Sequence, residues 1–250
     1  MTILGIDIGG SGIKGAPVDV SKGQMLTERY RIPTPENATP DAVVEIVDHI
    51  RNHFNWTGPI GCTIPARVEN GLVRTAANIH KSWIDTQIDK MLELKTGCPT
   101  SVLNDADAAG LASMRFGAGR ETSGVVLMLT IGTGIGSALF NDGVLVPNIE
   151  LGHAMLHGDI VENYASDRVR KRENLSWQEW AERFQEVLDR LEFLIAPTYI
   201  IVGGGISRPY KAVEYLPYLH PHAKLLIESL ENEAGIIGAA ASAASLADPT

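Results

Sequence analysis

Two stretches of the chain share one pattern: an apolar run, one polar residue, a turn of small residues and a second apolar run. The first covers residues 3–18 with Asp7 as the polar residue, and the second covers residues 125–140 with Thr130. Short apolar runs on either side of a Gly-rich turn predict a β-hairpin. Such a turn leaves backbone N–H groups uncovered, and these attract phosphate oxygens. We therefore expect two similar hairpins, each with one phosphate-binding turn.

The remaining pattern predicts helices and further strands. Thr39 precedes Pro40, and apolar residues then recur at helical spacing to about Phe54, which predicts a helix capped by Thr39. Further helices are predicted over residues 108–116, 176–194 and 234–246, and another after residue 208. Strands are predicted at 58–65, 101–103 and 199–202, a hairpin at 69–73, and loops at 32–39 and 150–158. This order indicates an α/β fold with two similar halves around a cleft.

Composition narrows the possible functions. The chain has 250 residues and a net charge of −9, which argues against a general nucleic-acid-binding protein because phosphate backbones need clustered cations. Cys62 and Cys98 are too few for a disulfide framework or a four-ligand zinc site on their own. No signal-like segment opens the sequence, and its apolar runs are too short to cross a bilayer. We expect a cytoplasmic protein with no membrane or nucleic-acid partner.

The first glycine turn offers candidates for phosphate and metal binding. Gly9, Gly10, Ser11 and Gly12 form the turn, Lys14 follows it, and Asp7 precedes it at the end of a buried strand. A carboxylate there can hold a hydrated Mg²⁺, and a lysine can neutralise phosphate oxygens. The alternative is an ordinary tight hairpin with a solvated lysine. The second turn, with Thr130, Gly132, Thr133 and Gly134, favours phosphate binding because an ordinary hairpin needs no copy.

Asn104 and Asp105 follow a short apolar strand and start a helix. Asp105 or Asp107 can serve simply as an N-cap, which is the commonest use of such residues. Alternatively, an aspartate at this point accepts a hydroxyl proton while the oxygen attacks phosphorus, and Asn104 hydrogen-bonds a polyol. Both interpretations stay open on the sequence alone.

Glu150, His153, His157 and Glu162 form a second polar group. Carboxylates and imidazoles pair well with sugar hydroxyls, which both donate and accept hydrogen bonds. The alternatives are structural hydrogen bonds, a metal site made by Glu150, His153 and His157, and a catalytic Ser–His pair, for which no nucleophile motif is present.

Two further segments have more than one interpretation. Residues 166–172 are locally basic, which is typical of a solvated helix face and also of a groove for a long polyanion. Residues 203–208 link a strand to a predicted helix. Gly204 there can contact phosphates or a nucleotide at a helix N-terminus, or belong to a plain turn.

Taken in order, five segments resemble the sugar kinases of the ROK (repressor, ORF, kinase) family, which belongs to the actin-like ATPase/hexokinase superfamily. They are residues 6–14, 103–110, 129–136, 150–153 and 202–207. Residues 75–83, 157–158 and 164–177 resemble the polyphosphate glucokinase branch of that family. The resemblance implies a ribonuclease H-like fold. It also implies one domain from residues 1–106 plus 235–250, a second from 107–234, and a homodimer.

The same resemblance implies roles for individual residues. Asp105 is the general base, and Asn78, Asn104, Glu150, His153 and Glu162 contact glucose. The two turns hold the phosphates of polyphosphate or ATP, and Asp7 helps to place Mg²⁺. One departure concerns Pro65 and Ala66, since the family usually has Pro-Gly there; Arg67 follows and is a possible extra phosphate contact. Two alternatives to a glucose kinase remain open. One is a kinase for mannose, N-acetylmannosamine or another hexose, and the other is a non-catalytic sugar-responsive regulator.

Overall fold

The computed structural model describes residues 1–76 and 79–247, apart from the side chain of Asn232. The chain forms two compact units. The first contains Met1–Ala112 and the segment from Glu233 onward, and the second contains Ser113–Asn232. Asn78, a predicted sugar contact, lies outside the described residues.

The first unit is built on a six-stranded sheet with the order β3-β2-β1-β5-β8, in which β4 also pairs with β2. Its strands are β1 (Thr2–Ile8), β2 (Ile13–Asp19), β3 (Gln24–Met25), β4 (Tyr30–Ile32), β5 (Ile60–Ile64) and β8 (Thr100–Asn104). The strands β1 and β2 are antiparallel, whereas β1, β5 and β8 are parallel. A separate small hairpin pairs β6 (Val68–Glu69) with β7 (Leu72–Val73). It turns through Asn70 and Gly71, both at positive φ as a tight two-residue turn requires.

Helices of the first unit are α1 (Pro40–His53), α2 (Ile88–Thr96), α3 (Asp105–Phe116), which crosses the unit boundary, and α8 (Ala234–Ser242). The hydroxyl of Thr39 accepts a hydrogen bond from the Ala42 N–H and caps α1. Two glycines let α8 approach the sheet closely: a Cβ at Gly5 or Gly61 would overlap carbonyl oxygens of α8. The core of this unit therefore includes both α1 and the alanine-rich α8.

The second unit repeats the same sheet plan, with the order β11-β10-β9-β14-β15. Its strands are β9 (Val125–Ile131), β10 (Ile135–Asn141), β11 (Val144–Val146), β14 (Tyr199–Gly204) and β15 (Lys224–Ile227), with a small hairpin of β12 (Met155–Leu156) and β13 (Asp159–Ile160). Here too an antiparallel hairpin, β9 and β10, is extended by two parallel strands. The predicted duplication is therefore present at the level of topology.

Helices of the second unit are α4 (Val161–Ala165), α5 (Asp167–Arg172), α6 (Trp177–Ile195) and α7 (Pro209–Tyr215). Ser176 and Glu179 form a capping box that fixes the start of α6. The apolar face of α6 is buried, and Trp180 stacks on Phe184 within the core of this unit.

Most predicted elements are confirmed, and the differences concern short or weakly patterned segments. The terminal helix ends at Ser242 and continues as a 3-10 turn, because the Ala243 N–H bonds to the Ala240 carbonyl. Residues 150–158, predicted as a loop, contain a 3-10 turn and the strand β12. Sequence patterning missed α2 and β15, which are only nine and four residues long. Among the described residues, no helix has the length and apolar character needed to cross a membrane.

Candidate functional site

The first glycine turn joins β1 to β2 through residues 9–12. Its backbone closes on itself, since the Gly9 N–H donates to the Gly12 carbonyl at 3.2 Å. Two side chains from the next segment hold the carbonyl side of the turn. The hydroxyl of Thr34 donates to the Gly9 carbonyl at 2.6 Å, and Nη2 of Arg31 donates to the Ser11 carbonyl at 2.5 Å. The conformation of the turn is therefore stabilised by side chains of Arg31 and Thr34, which lie outside the hairpin.

Asp7 and Lys14 face each other across this hairpin and form an ion pair, with Nζ and Oδ2 3.0 Å apart. The other carboxylate oxygen of Asp7 accepts a hydrogen bond from the Thr63 hydroxyl at 2.8 Å. Both oxygens already have partners, so this carboxylate fits a magnesium ion held through water. Mg²⁺ usually keeps several waters and takes one or two carboxylates together with substrate phosphates. The Asp7 carboxylate therefore fits a magnesium ion that binds together with the substrate phosphates.

Asn104, at the end of β8, caps the helix that follows. Its side-chain oxygen accepts hydrogen bonds from the N–H groups of Ala106 and Asp107 at 2.8 and 3.2 Å, and its Nδ2 donates to the Ala66 carbonyl at 3.2 Å. An N-cap was one of two interpretations of Asp105 or Asp107, and the structure gives this capping role to Asn104. Asp105 is exposed, and its Oδ1 accepts from the Ala106 N–H at 2.9 Å. The first helical residue therefore presents a carboxylate at the surface of the first unit.

A cavity of about 280 Å³ adjoins the first glycine turn within the first unit. Its walls include Gly9, Gly10, the segment 34–38, Ile64, Pro65 and the segment 79–83. The indole N–H of Trp83 donates to the Ala38 carbonyl at 2.7 Å and joins two of these walls. Ile64 pairs with Asn104 across β5 and β8, so the end of β8 lies one strand away from the cavity wall.

The bend after β5 accommodates Ala66 without strain. Its backbone is not in the left-handed region, and its side chain is buried. Arg67, the possible phosphate contact, instead forms an ion pair with Glu69, with Nη2 and Oε1 2.9 Å apart. The backbone carbonyl of Ala66 accepts the hydrogen bond from the Asn104 amide, a contact that does not depend on the alanine side chain.

In the second unit, the turn between β9 and β10 has three residues, and the Gly132 N–H donates to the Gly134 carbonyl at 3.0 Å. The carboxylate of Glu162 lies against this turn and accepts a hydrogen bond from the Ile135 N–H at 3.4 Å. A Cβ at Gly134 would overlap that carboxylate. On the other side, the backbone N–H of Arg168 donates to the Gly132 carbonyl at 3.2 Å. The turn thus has an acidic neighbour on one side and the basic helix α5 on the other.

Glu150 and His153 bracket a 3-10 turn that packs on β10. Gly152 lies so close to the β10 backbone that a Cβ would overlap a carbonyl oxygen, and the Ser137 hydroxyl accepts a hydrogen bond from the Leu151 N–H at 2.9 Å. Both candidate side chains are exposed. The strand that follows the second glycine turn therefore also positions the candidate sugar-binding turn.

Gly204 lies in the glycine segment 203–205, which is adjacent to the second turn. It pairs with Ile131, the residue before Gly132, and has a φ of +80°. A Cβ there would overlap the Ile131 backbone, and the Gly205 N–H donates to the Ile131 carbonyl at 3.0 Å. The helix α7 has seven residues and starts only at Pro209. Gly204 therefore supports the second turn closely.

The basic segment forms the helix α5, and much of its charge is already compensated. Asp167 is buried and pairs with Arg170 at 3.0 Å and Lys171 at 2.7 Å. The Arg170 guanidinium also lies 3.9 Å from the ring centre of Trp177. Burial favours a higher pKa for Asp167, but the hydrogen bonds from Lys171 and Arg170 outweigh it and lower the pKa below its ordinary value. Arg170 is therefore a structural residue of this helix.

His157 is used structurally too. Its ring hydrogen-bonds to Glu186, which also accepts from the Tyr164 hydroxyl at 2.8 Å. The hydrogen bond from His157 is the largest cause that lowers the pKa of Glu186. Across the described ranges, no three His, Cys, Asp or Glu side chains gather as metal ligands, so the alternative of a metal site at Glu150, His153 and His157 gains no support.

The structure thus gathers the predicted residues into one group in each unit. Around the first turn and the end of β8 lie Gly9, Gly10, Ser11, Gly12, Asp7, Lys14, Asn104 and Asp105. Around the second turn lie Thr130, Gly132, Thr133, Gly134, Glu150, His153, Glu162 and Gly204. Sequence reasoning missed Arg31 and Thr34, because no local motif links them to their partners in the turn, which lie 20 and 25 residues earlier.

Comparison with known proteins places the chain among sugar kinases. The ROK family profile matches residues 3–160. The chain is 45% identical over 248 residues to the polyphosphate glucokinase of Mycobacterium tuberculosis, covering 99% of this chain and 92% of that protein. It is also similar to the crystal structure of an inorganic polyphosphate/ATP-glucomannokinase from Arthrobacter sp. strain KM, with 48% identity, a TM-score of 0.90 and 96% of each chain covered. A ROK family glucokinase from Streptomyces griseus shares the fold, at 24% identity, a TM-score of 0.81 and 100% of each chain covered.

Proposed function

This chain belongs to the ROK family, and from that membership and the geometry above we propose that it is a glucose kinase. It transfers the terminal phosphoryl group of polyphosphate or ATP to the 6-hydroxyl of glucose and forms glucose 6-phosphate. The observation that carries the proposal is the start of α3, where Asn104 caps the helix and the Asp105 carboxylate is exposed. Asn104 fills the capping role, and we assign the proton transfer to the exposed Asp105 carboxylate.

The proposed reaction needs one proton acceptor and several groups that bind phosphate. Asp105 accepts the proton of the 6-hydroxyl as the sugar oxygen forms a bond to the terminal phosphorus. The phosphoanhydride bond of the donor breaks, and its electron pair stays on the oxygen of the donor, which leaves one phosphate shorter. This single carboxylate suffices because phosphoryl transfer depends mainly on positioning and on stabilisation of charge.

Residues of the first glycine turn bind the phosphoryl oxygens through their backbone N–H groups, and Lys14 adds a positive charge. Asp7 orients Lys14 through their ion pair, and its carboxylate would hold a magnesium ion through water. When bound with the donor, Mg²⁺ supplies positive charge to the phosphate oxygens. The N–H groups of the second turn and Gly204 are further phosphate contacts in this proposal.

Glucose recognition rests on polar side chains whose oxygen and nitrogen atoms hydrogen-bond hydroxyl groups. We assign Asn104 and Asp105 in the first unit to the sugar; Ile64, the strand partner of Asn104, lines the cavity, and the apolar face of the ring packs there in this proposal. In the second unit, Glu150, His153 and Glu162 hydrogen-bond sugar hydroxyls. A site built this way rejects analogues that lack a hydroxyl, because its polar groups would be left without partners. Asn78 is a further proposed contact from family resemblance alone.

Domain roles, assembly and location follow from the family in this proposal. Residues 1–106 with 235–250 carry the first turn and the base, and residues 107–234 carry the second turn and the sugar-binding turn. The enzyme works in the cytoplasm as a homodimer.

A direct test is the formation of glucose 6-phosphate by the purified full chain, with ATP and with long-chain polyphosphate in parallel and Mg²⁺ present. Transfer from at least one donor is expected. Mannose is tested as a second acceptor, since the Arthrobacter relative is a glucomannokinase. If glucose binds but neither donor yields product, the protein is a sugar sensor and the proposal fails.

A further inference from the structure

Arg31 lies over the first glycine turn, and the reaction described above does not use it. One nitrogen of its guanidinium donates to the Ser11 carbonyl. A Cβ at Gly12 would lie 2.6 Å from the guanidinium carbon, so a larger residue at this position would displace the Arg31 side chain. Gly12 is buried, whereas Arg31 is exposed. The Arg31 side chain therefore packs against the backbone of the turn at Gly12 and hydrogen-bonds it at Ser11.

Strand pairing places this arginine beside the lysine of the same turn. The strands β2 and β4 are antiparallel, and Lys14 is the register partner of Arg31. Directly opposed residues on antiparallel strands project from the same face of the sheet. Two cations thus stand side by side on one face at the end of the first hairpin.

The two cations differ in how their charge is compensated. Lys14 is paired with the Asp7 carboxylate at 3.0 Å. Arg31 has a neutral carbonyl as its hydrogen-bond partner, and among the described residues it forms no ion pair. A guanidinium carries five N–H donors, so most remain available to an anion. The uncompensated positive charge at this turn therefore lies on Arg31.

We propose that Arg31 binds the phosphate chain of the donor, at a phosphate adjacent to the one that is transferred. This inference rests on the proposed kinase function and adds a donor-binding residue to it. The guanidinium forms paired hydrogen bonds with phosphate oxygens, which a lysine ammonium does not reproduce. The same phosphoanhydride chemistry occurs in polyphosphate and in ATP, and the side chain contacts either donor.

The test compares Arg31→Gln and Arg31→Lys with the wild type, and Lys22→Gln serves as the control. Lys22 is exposed in the turn after β2, so Lys22→Gln removes one positive charge from the same unit, as Arg31→Gln does. We expect Arg31→Gln to raise the donor KM about 10- to 100-fold, the range for loss of charge-assisted hydrogen bonds, with an unchanged glucose KM. Arg31→Lys is expected to recover only part of the loss, and Lys22→Gln to have wild-type constants.

Equal rises in the KM for donor and glucose, or a lowered Tm with an unchanged donor KM, would show that Arg31 only supports the turn and would overturn the proposal. Calorimetric binding of tripolyphosphate separates this proposal from the kinase function. Tripolyphosphate binding that is weakened in Arg31→Gln, in a protein that transfers no phosphate, would refute the kinase function alone. Wild-type tripolyphosphate affinity in that variant would refute the role of Arg31.

Discussion

The two glycine turns join hairpins of the same strand plan and have very different neighbours. Each joins two seven-residue antiparallel strands, and each hairpin is extended by a parallel strand on its other side. The pairs at the mouth of each turn differ: Asp7 faces Lys14 in the first unit, whereas Thr130 faces Gly136 in the second. The two hairpins therefore share a strand plan, but a charged pair occupies this position in the first hairpin and an uncharged pair occupies it in the second.

Side chains from later elements increase this difference. Arg31 and Lys14 stand beside the first turn, whereas Glu162 accepts a hydrogen bond next to the second. A carboxylate repels phosphate and accepts hydrogen bonds from hydroxyls. We therefore expect the Glu162 side of the second turn to face sugar and its Gly132 side, next to Arg168, to face phosphate. A glycine turn alone does not identify its ligand; the charges placed around it do.

The largest effect is expected when the two carboxylates assigned to the reaction are compared. Asp105→Asn removes the base while keeping its shape, and we expect kcat to fall about 100- to 10,000-fold with glucose binding nearly unchanged. Glu162→Gln, the matched change in the second unit, is expected to raise the glucose KM and to alter kcat much less. Steady-state kinetics and glucose titration measure both. Near-normal turnover in Asp105→Asn would contradict its role as the base.

A second pair of substitutions tests the neighbours of the turns directly. The methyl group added by Gly12→Ala overlaps the Arg31 guanidinium, and the one added by Gly134→Ala overlaps the Glu162 carboxylate. We expect the first to raise the donor KM about tenfold and the second to raise the glucose KM by a similar factor, as a displaced charge-assisted hydrogen bond predicts.

Gly10→Ala and Gly132→Ala are the controls for protein stability, because a Cβ at either position meets no described atom within 4 Å. Both variants should have the wild-type Tm. If Gly12→Ala and Gly134→Ala changed the same kinetic constant, the assignment of different ligands to the two turns would be wrong.

Local sequence signals were sufficient for most of the fold. The Thr39 cap, the Asn70 and Gly71 turn, and the capping box at Ser176 are each encoded within a few residues, and the structure contains all three. The elements that were missed, such as α2 and β15, are short, and their stability comes from packing against distant strands and helices.

The site was predictable only where a motif is contiguous. Asn104 and Asp105 are adjacent, but which of them caps α3 depends on backbone geometry. The contact of Arg31 with Ser11 and that of Glu162 with Ile135 join residues 20 and 27 positions apart. Such contacts depend on strand register and helix placement, which a single sequence does not reveal.

A smaller effect is expected at the basic helix beside the second turn. Arg168 is exposed, whereas Arg170 is held by Asp167 and Trp177. We expect Arg168→Gln to raise the KM for polyphosphate about two- to fivefold and the KM for ATP less. A change of this size corresponds to the free energy of one exposed ion pair. Arg190→Gln on α6 is the control. Equal changes for the two donors would mean that α5 is only a solvated helix.

The smallest effect on turnover is expected for Asp167, which anchors α5 behind that turn. Its pKa is lowered in the folded protein, so its ion pairs stabilise the fold above the unfolded-state pKa of about 3.9. This stabilisation is lost as the pH falls through the lower folded-state pKa. Asp167→Asn should therefore reduce the free energy of unfolding by about 1.5–3 kcal/mol at pH 7, and the difference from wild type should shrink below pH 4. Urea unfolding at pH 7, 5 and 3 measures it, with Asp142→Asn as an exposed control. A difference that stays constant with pH would mean that Asp167 stabilises α5 by packing, without a contribution from its charge.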